Sequence, residues 1–142
     1  MSGEAQITAS EAEELAGRAL GVKGLCNAHL VYRLDGGKPY FLVIFGESGR
    51  AHAIAAIDSM NGAVMLSAKF EQPKVGLLLD KAKAIEMADC EGRVSAARLV
   101  WAPSRATLSP FYPVWELASD CGPIYVDQNG KLWPSLLPAG PG

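Results

Sequence analysis

The chain is poor in the residues that usually carry chemistry. Its 142 residues include two histidines and three cysteines. Cys26, Cys90 and Cys121 lie far apart, so no CxxC pair and no paired disulfide framework is present. Reduced thiols are the expected state. No apolar run approaches the roughly 20 residues that a bilayer-crossing helix needs. Residues 1–6 show no basic segment leading into an apolar stretch, so no signal peptide is expected and the compartment reads as cytoplasmic. Charge of one sign is also lacking. Thirteen Lys and Arg against fifteen Asp and Glu give a net charge of −2, which argues against nucleic acid as a partner. G-x-S-x-G, H-E-x-x-H and phosphate-cradling glycine loops are all absent, so no cofactor is expected.

What is present is a well-patterned globular sequence, 49% hydrophobic and 20% charged. Thr8 followed by Glu11 has the spacing of a capping box, and Ser10 with Glu13 is a second choice. Ala12, Leu15, Ala16, Ala19 and Leu20 then form the apolar stripe of a helix that Gly21 and Gly24 end. The period next changes to two. Cys26, Ala28, Leu30, Tyr32 and Leu34 alternate with Asn27, His29, Val31 and Arg33, which predicts a strand with one wet face. Asp35-Gly36-Gly37 is turn chemistry. Tyr40–Phe45 is apolar throughout, as a strand covered on both faces would be. A third strand is expected over residues 51–57, followed by a hairpin turn at Asn61-Gly62.

The second half repeats this order in looser form. Asp80 is a cap candidate, and Ala84, Ile85, Met87 and Ala88 make a second helical stripe before Gly92. Residues 97–101 alternate, residues 110–117 form an apolar run, and Asp127 leads into Asn129-Gly130. Pro73 places the boundary between residues 1–72 and residues 73–142. The expected fold is α+β, with two pseudo-repeated helix-plus-antiparallel-sheet (α-β-β-β) units packed as one domain. Halves of this size have marginal cores alone.

The segments Ile7-Thr8-x-x-Glu11-Ala12-x-x-x-Ala16 and Asp58-x-x-x-Gly62-x-Val64, with three strands between them, resemble PepSY-type domains. Asn61 stands where that family has Thr. The resemblance implies a tandem, degenerate pair of such units. It also implies a non-enzymatic binding or inhibitory module that engages a protein or peptide, in a family that usually works outside the cytoplasm.

Candidate sites were weighed against their ordinary structural roles. Cys26 and His29 have metal-ligand character, but three residues apart on a strand they face opposite ways, so no metal site is expected. Cys90 follows the second helical stripe, where a thiol pKa rises, and Cys121 lies in a turn. Asp58 and Asp127 look like a carboxylate pair, yet each begins a tight turn in which Asp bonds to backbone N–H groups. No catalytic residue is assigned. The least routine segment is residues 102–115, with three prolines and three aromatics. A proline-stiffened loop loses little entropy on binding, and Arg105 and Tyr112 are the residues expected to border a partner site there. Phe111, Trp115 and Leu117 are expected to fill the core. The alternative function is a small-molecule-binding protein with a pocket between helix and sheet or between the halves. A cavity above roughly 300 Å³ would favour it. The oligomeric state is left open.

Overall fold

The computed structural model of the chain describes residues 7–46, 50–75, 81–88, 94–103, 109–120 and 122–133. The chain divides into two compact units, Met1–Leu77 and Leu78–Gly142. The strands belong to one eight-stranded sheet in the order β4-β3-β2-β1-β5-β6-β7-β8, accompanied by two short helices. This corrects the expectation of two helix-plus-antiparallel-sheet (α-β-β-β) units. Separate sheets would leave twice as many open strand edges with unpaired backbone groups, and side-chain periodicity carries no information about which edges pair.

In the first unit, helix α1 spans Ala9–Leu20. Thr8 is its cap. The Thr8 hydroxyl accepts from the Glu11 N–H at 3.1 Å, and Glu11 Oε1 accepts from the Thr8 N–H at 3.0 Å. Gly21 closes the helix with φ 68°, a left-handed conformation that glycine adopts without a Cβ penalty. Strands β1 (Cys26–Arg33), β2 (Tyr40–Phe45), β3 (Arg50–Asp58) and β4 (Val64–Val75) follow, each antiparallel to the next. Ala12, Ala16 and Leu20 of α1 pack on Phe41, Val43, Phe45, Ala53, Ala55 and Ile57. Alanines on both surfaces let the helix backbone lie close to the sheet, which is why this helix needs no large anchor.

Two local expectations are revised here. The face of β1 carrying Asn27, His29 and Val31 is wet only at one end: Asn27 is exposed, His29 half-buried and Val31 fully buried. The strand pattern also does not stop at Pro73. Strand β4 runs on to Val75, and the register with β3 slips between Ala51 and Ala53, so the proline sits where the ladder is already interrupted. As β4 ends the strand order, a residue without an N–H is tolerated there. The Asp35-Gly36-Gly37 turn is fixed by Asp35, which accepts from Arg33 at 2.6 and 3.0 Å and from the Gly37 N–H at 3.1 Å.

In the second unit, helix α2 (Lys81–Ala88) packs Ala84 and Ala88 against Leu117 and Val126. Strands β5 (Val94–Trp101), β6 (Val114–Ser119), β7 (Ile124–Val126) and β8 (Leu132–Trp133) form consecutive antiparallel pairs. The expected cap at Asp80 and stop at Gly92 lie outside the described residues. The apolar run over residues 110–117 becomes a strand only from Val114 onward. Before it, the Tyr112 N–H donates to the Ser109 carbonyl at 3.0 Å and the Phe111 N–H to Ser109 Oγ at 3.1 Å, making a turn. Proline at 110 and 113 accounts for the late start. Leu117 is buried and Trp115 packs against the core, whereas Phe111 is only half-buried.

Candidate functional site

The residues singled out in the sequence are described only in part. Arg105 lies outside the described residues, as do Cys90 and Cys121. Tyr112 is 41% exposed. It belongs to a turn and not to a strand. Asp58 and Asp127 fall in different units, and each serves its own turn. Asp58 Oδ1 accepts from the Met60 N–H at 2.8 Å, and Asp127 Oδ1 accepts from the Asn129 and Lys131 N–H groups at 2.9 Å each. Cys26 packs at the border of the helix-side core, while His29 two pleats along faces the other way. Among the described residues no group of three or more His, Cys, Asp or Glu side chains is gathered.

His29 nevertheless has an electrostatic consequence. It lies on the β1 face shared with Val31 and opposite Leu42, and burial pushes its imidazole below the ordinary value near 6.5. The folded state therefore holds it neutral, while the unfolded chain binds a proton as pH falls below about 6.5. Stability should be full above that pH and decline below it, toward the lower folded value. Urea unfolding of wild type and His29→Gln at pH 7.5 and pH 5 tests this. The variant should show the smaller loss between the two conditions, and equal losses would remove His29 from the account.

The feature that composition and motifs did not announce is a cavity. It has a volume of about 570 Å³, is open on one side and mostly apolar in lining, and lies entirely within the first unit, where the C-terminal end of α1 meets the start of β1 and the end of β2. Val22, Cys26 and Phe45 supply apolar surface, and Gly17, Gly21 and Gly24 leave space where side chains would otherwise project. Local chemistry explains the shape. Gly21 turns the chain out of the helix, and its N–H and that of Val22 both donate to the Gly17 carbonyl. The chain then runs outward before Leu25, whose carbonyl accepts from the Gly46 N–H at 2.9 Å, ties it to the end of β2. A Cβ on Gly17 would come within 3.1 Å of the Val22 carbonyl oxygen, so a side chain there would press the following loop outward by a few tenths of an ångström.

Four charged side chains border the opening: Glu13, Glu14, Arg18 and Lys23. Glu14 and Arg18 are paired to each other one helical turn apart. Glu13 is half-buried, and its carboxylate has no ion-pair or hydrogen-bond partner among the described residues. Lys23 is exposed. The Cys26 thiol is free, and its pKa is raised, first by burial and then by the charge of Glu13. A thiol held protonated at neutral pH is a poor nucleophile. The spacing Gly21-x-x-Gly24 directly after an amphipathic helix is the one sequence signal that points to this place.

No protein-family model matches the chain, and neither a curated protein nor a solved structure is significantly similar to it.

Proposed function

We propose that this chain is a non-enzymatic binding module and that its occupant is a small, largely apolar molecule held between α1 and the sheet of the first unit. The observation that carries this reading is the cavity of about 570 Å³, which falls within the roughly 300–1,000 Å³ of small-molecule sites. Its composition supports holding over reacting. The wall combines Phe45, Val22 and a protonated thiol with a few charged groups at the rim. The PepSY-like opening of α1 and the Asp58 turn support a binding role in general. A protein or peptide partner is the second reading, supported by the exposed ring of Tyr112.

The test is a fragment screen by amide chemical shift. Bound fragments should perturb Gly17, Gly21, Val22 and Cys26 together. Cys26→Phe, which fills the cavity, should abolish these shifts, while Cys26→Ser should retain them within about threefold. Shifts that cluster around Tyr112, or that survive in Cys26→Phe, would reject the cavity as the site.

A further inference from the structure

Resting on that reading of the cavity, we propose that the molecule it takes carries a positively charged amine on an apolar body, with the Glu13 carboxylate as counter-ion and the Phe45 ring beneath the apolar part. The charges around the opening are not equivalent, although their formal sum is zero. Glu14 and Arg18 satisfy each other. Of the two that remain, Lys23 is exposed, so water and salt screen it. Glu13 is half-buried beside the low-dielectric lining and has no partner among the described residues, so its field reaches into the cavity with less screening. Its charge also raises the pKa of the Cys26 thiol, after the larger effect of burial.

The backbone contributes the same sign. The cavity lies at the C-terminal end of a twelve-residue helix, where the last carbonyls carry partial negative charge and favour cations. Phe45 adds apolar surface from β2 for the body of the ligand. A carboxylate and a helix C-terminus, both on α1, thus meet at one opening beside an apolar wall. An anionic ligand would meet both unfavourably. A neutral ligand would leave the Glu13 charge uncompensated as it excluded water from it.

The experiment uses three probes of nearly one shape on the full chain: phenethylamine, 2-phenylethanol and phenylacetate, titrated by calorimetry at low ionic strength. Phenethylamine should bind at least tenfold more tightly than the alcohol, and phenylacetate should bind weakest. Glu13→Gln should reduce the amine's advantage over the alcohol to about twofold, by weakening the amine and by relieving the alcohol of the uncompensated charge. Added salt should weaken the amine selectively. Equal binding of amine and alcohol to the wild type, or preference for phenylacetate, would overturn the charge assignment while leaving the cavity as a binding site. If all three probes failed to bind at millimolar concentration and amide shifts did not move at Gly17 or Cys26, both the charge assignment and the cavity reading would fall.

Discussion

Gly46→Ala should destabilise the protein by roughly 3 kcal/mol or more, through backbone strain and a backbone collision acting together. Gly46 ends β2 with φ 134°, a conformation that L side chains rarely adopt. A Cβ placed there would sit on the carbonyl oxygen of Arg50, far inside van der Waals contact, and 3.2 Å from the Ala51 Cα. Both obstacles are backbone atoms of β3, so no side-chain rotation relieves them. The only escape is to move β3 against β2, which disturbs the buried Ala53–Phe45 register. Gly21→Ala is the control. It carries a positive φ of 68° but meets nothing within 4 Å, so it should cost only about 1 kcal/mol. Urea midpoints of the two variants separate strain from collision. Equal small losses would mean that the β2–β3 connection relaxes freely. Because the Gly46 N–H ties Leu25, the neighbour of Cys26, to the end of β2, Gly46→Ala should also weaken probe binding.

The parts of the fold that were legible in the sequence are those set by neighbouring residues. The Thr8–Glu11 box and the Gly21 stop act within a few residues of chain, and the helix starts and ends as they predict. Tyr40–Phe45 is apolar throughout, and five of its six residues are buried. Errors arose where a local rule met a long-range fact. Pro73 reads as a breaker in one dimension but is harmless in an edge strand whose register has already slipped. Val31 alternates with polar residues, which predicts solvent, yet it is fully buried. Whether the halves share one sheet is open at the level of sequence, because it depends on which edges pair, a property that no periodicity encodes. The cavity was hidden for a related reason. Its lining comes from residues 13–26 and Phe45, which share no motif, and its volume is set by what three glycines omit.

Asp127→Ala should also cost about 3 kcal/mol, although Asp127 belongs to a turn and not to the hydrophobic core. The carboxylate is 7% exposed and serves three donors at once. Oδ1 accepts from the N–H groups of Asn129 and Lys131, and Oδ2 accepts from Trp133 Nε1, all at 2.9 Å. Hydrogen bonds to an ionised acceptor are stronger than neutral ones, and the indole N–H loses its acceptor where solvent reaches it only in part. The same carboxylate places Trp133 where the Lys131 ammonium lies 4.3 Å over its ring, so the cation–π contact should go too. The main-chain pair between Asp127 and Lys131 and the Gly130 N–H bond to the Asp127 carbonyl do not use the side chain, so the turn should loosen without inverting. Asp127→Asn separates the contributions. It keeps one carbonyl oxygen for the two amides but presents an NH₂ or a neutral oxygen to the indole, so it should lose about half as much. Urea unfolding gives the totals, and hydrogen exchange at Asn129 and Lys131 reports the turn locally. Exchange there should rise in Asp127→Ala beyond what the global loss of stability accounts for. A loss under about 1 kcal/mol with unchanged exchange would show that the carboxylate does not hold the turn, and would return Asp127 to the list of side chains free for chemistry.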